Sequence, residues 1–382
     1  MKIVLSTIGK FHTFALARQM GQRGALASIY SGYPWFKLKA EGLPKGQVKC
    51  FPYLHAPYMR FAPRHAAARV WWEWQDRVWF DWYVARDLPS CDVFCGLSGS
   101  ALRTGREAKK RGSKYVCDRG SSHICFQDQI MREEYSRQNL SFTGIDPRII
   151  ERELNEYELA DVITVPSTFA YDTFVASGVP RSKMRLVPYG VDLSAFFPCA
   201  AKSESRFDVL FVGGVTVRKG ISYLLDAFRR LECKHKHLTL AGSISPEMET
   251  TVMQMRHDPT VTVMGHVPQQ QLKEVMSRSH VLVLPSVEEG LALVQAQAMA
   301  CGCPVIASES TGAHDLFVDG IEGFVVPIRD AGAIADRLQI LSDDPEVRRR
   351  MSLAALERVK SIGGWDQYGE RMYKVFSGVA SL

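Results

Sequence analysis

Short apolar runs alternate with segments of helical periodicity along the chain, and this alternation restricts the possible folds more than any other feature. The first half contains runs such as MKIVLST, CDVFCG and KYVCDRG, with helical spacing of apolar residues between them. A second series begins at FDVLFVGG and continues through LTLAG, VTVMGHV, HVLVLPS, PVIAS and GFVVP. Strands that alternate with helices form parallel sheets with helices on both faces. The sequence therefore predicts an α/β protein with two successive doubly wound domains.

The segment VPYGVDLSAFFPCAAKSES, residues 187–205, lies between the two series and is rich in residues that favour turns. A chain of 382 residues is also long for a single hydrophobic core. We therefore expect a first domain at 1–190 and a second at 191–365. Ligands of parallel sheets bind outside the carboxyl ends of the strands, so the site is expected in the cleft between the two domains.

Positive charge is concentrated in the first half of the chain. Residues 1–190 contain 27 Lys and Arg against 18 Asp and Glu, a net charge of +9, whereas the remaining residues contain 20 against 23, a net charge of −3. This asymmetry indicates that only the first half meets an anionic surface or substrate. No helix-turn-helix, zinc-finger or RNA-binding pattern accompanies the basic residues, so a nucleic-acid partner is not predicted.

Residues 33–83 combine aromatic and basic side chains. Lysines and arginines are interleaved there with six of the seven tryptophans: Trp35, Trp71, Trp72, Trp74, Trp79 and Trp82. This composition suits contact with an anionic membrane surface. The alternative, which the sequence leaves open, is a core helix whose aromatic residues pack against the sheet.

The chain shows no segment for membrane insertion and no metal-ligand pattern. No apolar run reaches the roughly 18 residues of a membrane-spanning helix, and the first strand is too short for a signal peptide. The protein is therefore expected in the cytoplasm, with peripheral contact to the inner face of the plasma membrane left open. The nine cysteines lack zinc-ligand spacing and no Asp-x-Asp occurs, so no metal site is predicted.

The first motif that carries chemistry is FVGGVTVRKGISYLLDAF, residues 211–228. A strand leads into the glycine turn of Gly213 and Gly214, and Arg218 and Lys219 follow directly before a helix. This order places two cations and free backbone N–H groups where an anion can bind. The phosphate-binding pattern GxxxxGK[ST] is absent, and the alternative is that both cations are solvated surface residues.

The second motif is SVEEGLALVQAQAMACGCPVIAS, residues 286–308. A helix is predicted to begin near Gly290, which would leave free N–H groups for a diphosphate. The expected donors are Gly290, Leu291, Ala292 and Leu293. Glu289 precedes these amides and can turn toward a neighbouring sugar, while Gln297 lies two turns along on the same face as Leu293. A glutamate at a helix start is also favoured by the helix dipole alone.

The third motif is CDRGSSHICFQDQ, in which His123 follows a strand end and a Gly-Ser-Ser loop. That position suits a site residue, and a structural role for the histidine is the alternative. Taken together and in order, these motifs resemble the retaining glycosyltransferases of family 4, the group 1 glycosyltransferases. The resemblance is strongest over 187–376, where VPYGVDLSAFFP and GAHDLFVDGIEGFVVP also match.

The resemblance implies the GT-B fold, in which two Rossmann-like domains face each other across a cleft and a final helix, here 366–382, completes the first domain. It also implies roles for single residues on the donor. Gly9 would approach the donor phosphates, His123 would contact the donor sugar's primary hydroxyl or the reacting centre, and Lys219 would neutralise the diphosphate. Gly214 occupies the usual arginine position, so Arg218 is expected to substitute.

The remaining implied contacts belong to the Glu-x7-Glu signature and its surroundings. Glu289 occupies the first position, which binds sugar hydroxyls. The second position, which binds the ribose, is Gln297 instead of glutamate. Gly213 and Val267 complete the expected donor-binding set, and the nucleoside diphosphate sugar is a substrate, so no further cofactor is expected.

The expected function is retaining transfer of a sugar from a nucleoside diphosphate to a glycan, lipid-linked or other hydroxyl acceptor, in the synthesis of cell-surface polysaccharide or glycolipid. Arg218, Lys219 and the amides of residues 290–293 would stabilise the leaving diphosphate without a metal. Two alternatives remain: a GT-B nucleotide-sugar epimerase, which needs no acceptor, and a non-catalytic sugar-nucleotide-binding scaffold, which the change at Gln297 suggests. Donor base, sugar and acceptor are not determined.

Overall fold

Two parallel sheets organise the chain in the computed structural model, which describes residues 1–61 and 66–381. The first sheet has seven strands in the order β3-β2-β1-β4-β5-β6-β7. They are β1 (Ile3–Thr7), β2 (Leu26–Ser31), β3 (Val48–Cys50), β4 (Val93–Leu97), β5 (Lys114–Asp118), β6 (Val162–Val165) and β7 (Met184–Leu186). The second sheet has six strands in the order β10-β9-β8-β11-β12-β13. They are β8 (Phe207–Val212), β9 (Lys236–Ala241), β10 (Val261–Gly265), β11 (Val281–Leu284), β12 (Val305–Ser308) and β13 (Gly323–Val326).

Helices follow most of these strands, as the alternating pattern predicts. Those between strands of the first sheet are α1 (Thr13–Gln22), α2 (Trp35–Leu38), α3 (Pro52–Phe61), α4 (Ala66–Asp87), α5 (Leu102–Lys110), α6 (Ile124–Arg137), α7 (Pro147–Leu159) and α8 (Thr168–Ala176). The others are α9 (Ile221–Arg230), α10 (Glu249–Met255), α11 (Gln269–Arg278), α12 (Leu293–Ala300), α13 (Ala313–Leu316), α14 (Ala331–Asp343), α15 (Pro345–Ile362) and α16 (Trp365–Ala380). The prediction of two doubly wound α/β domains is confirmed.

The central strands are buried on both faces because helices cover them. All five residues of β1 and all four of β11 are buried, which explains their continuous apolar sequences. Helix starts carry local signals: Asp146 accepts a hydrogen bond from the backbone N–H of Arg148, and Asp344 accepts from the N–H of Glu346. In both cases proline follows the capping residue and supplies a backbone already suited to the first helical turn.

The chain crosses between the two sheets twice, and the two crossings lie against each other. Residues 187–205 form the first crossing without a helix or strand. A Cβ atom on Gly190 would lie 2.2 Å from the carbonyl oxygen of Gly364, so only glycine permits this approach. Beyond Gly364, α16 packs against α1 of the first domain. The final helix therefore rests on the first domain, and its start is Trp365 where the sequence predicted 366.

The aromatic segment 33–83 forms α2, α3, β3 and most of α4, and its residues 62–65 lie outside the described part of the chain. Its aromatic side chains divide between surface and interior. Phe80 is fully buried, whereas Trp71 is 58% exposed. Other exposed members are Phe36, Tyr53, Phe61 and Trp79. Over the described residues, no helix is both long and apolar enough to cross a membrane.

Candidate functional site

A cavity of about 1160 Å³ lies between the two domains, at the carboxyl ends of their strands. Loops that follow β1, β5, β8 and β11 contribute its walls, as expected for doubly wound sheets. Lining residues from the first domain and the crossing include Ile8, Phe11, His12, Gly120, Ser121 and Tyr189, and those from the second include Arg218, Glu289, Gly290 and Leu293. The cleft that the sequence predicted is therefore present, and it brings the loops of both halves together.

The two cations after β8 face the two glutamates after β11. Lys219 forms an ion pair with Glu289, while Nη1 of Arg218 lies 3.3 Å from Oε2 of Glu288 and 4.0 Å from Oε1 of Glu289. Burial lowers the pKa of Arg218, but Glu289 and Glu288 outweigh this effect and raise the pKa above its ordinary value. The two sequence motifs therefore meet in one charged cluster at the wall of the cavity.

The turn between β8 and the cations is built on glycine. Gly213 has φ +145°, a conformation that side chains rarely adopt, and a Cβ atom there would lie 3.7 Å from Cε of Lys219. Gly214 has room for a Cβ, which would meet Cγ2 of Thr216 at 3.4 Å. The backbone conformation, not crowding by the lysine side chain, therefore favours glycine at position 213.

Glu288 joins the two domains, a role that the sequence did not predict. It is fully buried, and its carboxylate accepts hydrogen bonds from the hydroxyls of Ser121 and Ser122 at 2.6 and 2.7 Å and from Nε2 of Gln127 at 3.0 Å. Burial opposes its ionisation, but Arg218 and the hydrogen bonds from the two serines outweigh burial and lower the pKa of Glu288 to about 2. An ionised carboxylate of the second domain therefore binds the β5–α6 loop of the first.

The helix after Glu289 begins three residues later than predicted. Helix α12 starts at Leu293, not near Gly290. The N–H of Ala292 donates to the carbonyl of Thr311 at 3.2 Å, so one of the four amides assigned to a diphosphate is already bonded. The reason is tertiary packing: a Cβ atom on Gly290 would lie 2.0 Å from the carbonyl oxygen of Gly120, which shows that this glycine fits against the first domain.

His123 lies in the protein interior instead of the cavity wall. It is 3% exposed, and its ring packs 5.2 Å from the ring of Tyr157 and 5.0 Å from that of Phe174. Its Nδ1 accepts from the N–H of Cys125 at 3.3 Å, which caps α6. Burial, and secondarily Arg119, lower the pKa of His123 to about 4. This geometry supports the structural alternative and gives no contact to the cavity.

The other residues that the sequence predicted to contact the donor differ in their burial. Gln297 is half-buried on α12, and no hydrogen bond to its side chain occurs among the residues that the structure describes. Val267 is buried after β10 in the core of the second domain. Gly9 is buried too, and its carbonyl accepts from the hydroxyl of Ser31 at 3.1 Å. The neighbours Ile8 and Phe11, not Gly9, line the cavity.

The sequence also missed a pair in the first domain, of which His12 lines the cavity. Nε2 of His12 lies 2.6 Å from Oδ2 of Asp118, and the imidazole stacks on Tyr189 at 4.3 Å between ring centroids. The available signal was that His12 follows β1 and Asp118 ends β5, both at the edge where ligands bind. The two residues are 106 positions apart, so no local pattern connects them.

A second set of contacts binds α6 to the second domain. The buried carboxylate of Glu134 accepts from the hydroxyl of Tyr223 and from Nε of Arg329, each at 2.8 Å. The hydroxyl of Ser222 donates to Oε1 of Gln138 at 3.0 Å. Together with Glu288, these contacts connect the two domains beside the cavity. No cluster of three or more His, Cys, Asp or Glu side chains suited to a metal occurs within residues 1–61 and 66–381.

A known family model matches the part of the chain that contains the second sheet. Residues 206–344 match the family model described as glycosyl transferases group 1. These residues form a group 1 glycosyltransferase domain. They contain both halves of the charged cluster, the turn with Arg218 and Lys219 and the loop with Glu289.

Among curated relatives of the glycosyltransferase domain and its surroundings, the chain is 28% identical over 245 residues to the D-inositol 3-phosphate glycosyltransferase of Pseudarthrobacter chlorophenolicus. That alignment covers 59% of this chain and 58% of the relative, so the chain spans little more than half of the relative's length. The comparison supports the family of the domain and leaves the substrates of the whole protein open.

Solved structures match over the whole chain and establish the fold. Sucrose-phosphate synthase from Thermosynechococcus elongatus superposes with a TM-score of 0.76 at 21% identity, covering 100% of this chain and 99% of that one. HepE of Anabaena, solved with UDP and glucose, superposes with a TM-score of 0.72 at 16% identity, covering 99% and 100%. The chain has the GT-B fold, in which the glycosyltransferase domain faces the first domain across the cleft.

Proposed function

We propose that the protein transfers a sugar from a nucleoside diphosphate sugar to a hydroxyl group of a glycan or lipid-linked acceptor, with retention at the anomeric carbon. The observation that carries the proposal is the cluster of Arg218, Lys219 and Glu289 beside the cavity between the domains. A donor needs cations for its diphosphate and an acceptor oxygen for its sugar hydroxyls, and this cluster supplies both. The UDP bound by HepE supports a nucleotide donor.

The charges of the cluster suit the bond that breaks. When the glycosidic bond to the diphosphate is cleaved, its electron pair leaves with the phosphate oxygen. Fixed cations that already lie at that position lower the barrier without reorganisation. Arg218 and Lys219 would then shift part of their interaction from Glu288 and Glu289 to the diphosphate, while Glu289 accepts hydrogen bonds from the sugar. The proposal requires no bridging metal, so transfer should persist in excess chelator.

Donor binding is tested first, by thermal shift with UDP-, GDP- and ADP-sugars. A donor at 100 times its dissociation constant should stabilise the protein by roughly 2.7 kcal/mol. Release of the nucleoside diphosphate is then followed with membrane extracts and oligosaccharides as acceptors. Release with formation of a glycosylated product supports transfer. Conversion of the donor sugar without release would identify an epimerase, and binding without turnover over the whole acceptor panel would identify a scaffold.

The phosphate role of the cations has its own test. Arg218→Ala and Lys219→Ala should weaken binding of the bare nucleoside diphosphate more than binding of the nucleoside, because only the diphosphate contacts them. Calorimetry with UDP and uridine measures both. Equal losses of affinity for UDP and uridine would indicate that both side chains are solvated surface residues.

We further propose that segment 33–83 places the protein on the inner face of the plasma membrane, which would present a lipid-linked acceptor. Phe36 and Phe61 are 66% and 69% exposed, and basic residues give positions 1–114 a net charge of +12, from 19 basic and 7 acidic residues. Each cation near an anionic surface contributes about 1 kcal/mol, screened beyond roughly 8 Å at physiological salt. Co-sedimentation with phosphatidylglycerol vesicles should fall as salt rises, and an absence of binding at low salt would refute membrane contact.

A further inference from the structure

A second cavity, of about 540 Å³, lies between the two domains, and the proposed transfer gives it no role. Helix α6 separates it from the first cavity, because Gln127 and Met131 line the first whereas Phe126 and Ile130 line the second. The other walls come from α8 of the first domain and from the turns that follow β12 and β13 in the second. The volume lies within the usual range of sites for small organic ligands.

The walls of the second cavity are connected across the domain boundary. Asp315 of the second domain accepts hydrogen bonds from the backbone N–H of Thr168 at 2.8 Å and from its hydroxyl at 2.5 Å. Arg329, which directly follows the lining residue Ile328, has Nε 2.8 Å from a carboxylate oxygen of Glu134 on α6. A ligand in this cavity would therefore touch both domains where they already meet.

The rim of the second cavity is negatively charged. Asp172 on the first domain and Glu309 on the second are exposed, and neither forms an ion pair or a side-chain hydrogen bond within the part of the chain that the structure describes. The other titratable residues of the lining are Asp315 and His314, and over residues 1–61 and 66–381 no lysine or arginine belongs to it. The whole protein has a net charge of +6, so this excess of acid is local. A cation would complement it.

The interior of the second cavity is apolar and aromatic. The rings of Phe126 and Phe169 meet edge to face with 5.7 Å between their centroids, and Ile130 is buried beside them. Aromatic rings attract organic ammonium groups, and apolar side chains pack against methylene groups. Among the described residues, no three His, Cys, Asp or Glu side chains lie close enough to hold a metal ion. The lining therefore suits an organic cation better than a metal.

A buried hydroxyl indicates a ligand independently of the charges. Ser310 lines the cavity and is only 4% exposed, yet its hydroxyl has no hydrogen-bond partner among the residues that the structure describes. The hydroxyls of its neighbours Ser308 and Thr311 both donate to backbone carbonyls, at 2.5 and 2.6 Å. Buried polar groups are normally paired, so the free oxygen of Ser310 is available to accept from an N–H group of a ligand.

We propose that the second cavity binds an organic diamine or polyamine, whose ammonium groups pair with Asp172 and Glu309 across the domain boundary. The methylene chain between the ammonium groups contacts Phe126 and Phe169, and one N–H donates to Ser310. Hydrogen bonds between an ammonium and a carboxylate are stronger than those between neutral groups. The inference goes beyond the proposed transfer, and its test needs neither donor nor acceptor.

The test compares two amines that differ in one ammonium group. Full-length protein is titrated by calorimetry with cadaverine and with pentylamine, and spermidine is a second polyamine probe. Cadaverine should bind roughly tenfold or more tightly than pentylamine, because its second ammonium gains a charge-assisted hydrogen bond. In Asp172→Asn and in Glu309→Gln, that ratio should fall to within about threefold of one, since a single carboxylate of the pair then remains.

Two exposed carboxylates outside the cavity provide matched controls. Glu151→Gln on α7 and Asp336→Asn on α14 change the net charge by the same amount as the cavity variants. Each should leave the ratio of the two affinities within about twofold of the unmodified value, because neither residue lines the cavity. Phe169→Leu should weaken cadaverine binding by roughly two- to fivefold through the loss of the ring. Melting temperatures report whether each variant is folded, and cadaverine should raise that of the unmodified protein.

A ratio that falls in both folded cavity variants and persists in both controls supports the diamine site. Equal affinities of the unmodified protein for cadaverine and pentylamine would overturn it and indicate a site for a single ammonium group, such as a lysine side chain of a partner protein. Equal losses in the control and cavity variants would reduce the binding to general attraction by acidic surface. The proposal would also be overturned if neither cadaverine nor spermidine bound at millimolar concentration.

Discussion

The two walls of the cleft are built from equivalent strand ends, yet they differ in how their side chains are assembled. On the wall of the second domain, the charged residues come from two short stretches, 211–220 and 286–293, and they pair with each other. On the wall of the first domain, His12 follows β1 and Tyr189 lies in the crossing between domains, and His12 contacts Asp118 at the end of β5. Local motifs therefore predict the wall of the second domain, whereas the wall of the first depends on strand order.

One residue connects the two walls, and its removal should have the largest effect. Glu288→Ala should destabilise the contact between the two domains by about 3 kcal/mol, because Arg218 and the serine loop lose a buried ionic partner. Thermal unfolding and small-angle scattering measure the stability and the opening. Glu357→Ala, at a 75% exposed position, is the control. An unchanged melting temperature and radius of gyration would show that Glu288 does not hold the domains together.

The same contact predicts a dependence on pH. The folded pKa of Glu288 is lowered from 4.5 to about 2, so its ionised form contributes stability above pH 4.5, and that contribution is lost as the pH falls toward 2. The melting temperature of the unmodified protein should therefore fall more steeply over this range than that of Glu288→Gln. Parallel curves would contradict the assignment.

Substitution of Glu289, the neighbour of Glu288, tests the wall of the second domain. Glu289→Ala should lower turnover by roughly ten- to 150-fold, since a charged hydrogen bond to the sugar contributes about 1.5–3 kcal/mol. Initial rates at saturating donor report this loss, and Glu274→Ala on the exposed face of α11 serves as the control. Near-normal turnover in a folded variant would remove Glu289 from the site.

The first domain also contains His123, the histidine that the sequence favoured, which lies in the protein interior. His123→Ala should destabilise the ligand-free protein by about 1–2 kcal/mol, because it removes the cap of α6 and packing against Tyr157 and Phe174. Ligand-free melting is the measurement, with the exposed His235→Ala for comparison. Unchanged melting with strongly reduced transfer would restore His123 as a contact to the donor.

The smallest effect is expected at Gln297, which replaces glutamate in the Glu-x7-Glu signature. Gln297→Glu should change donor affinity by less than about tenfold, or about 1.4 kcal/mol. A glutamine amide still accepts from a ribose hydroxyl, and the lost charge assistance is partly offset by weaker repulsion of the diphosphate. Gln297→Ala should weaken binding clearly. If only Gln297→Glu transferred sugar, the natural protein would be a scaffold.

The start of α12 shows that rules based on local sequence do not predict every feature of the site. The predicted helix start near Gly290 was wrong by three residues, although helix, loop and charged neighbours were predicted in the right order. Helix rules use the residues along one segment, whereas here Gly290 packs against Gly120 and the N–H of Ala292 bonds to Thr311. Partners that are distant in sequence replaced the first helical turn.

By itself, the sequence determined the two parallel sheets, the cleft between them and the order of the charged motifs in the second domain, because periodicity and short motifs encode interactions between near neighbours. Tertiary structure decided the rest. His12 and Asp118 are 106 positions apart, and Glu288 binds serines 166 and 167 positions away. Glu288 and Glu289 are adjacent in the sequence, but their surroundings differ. The two domains enclose Glu288, whereas Glu289 faces the cavity.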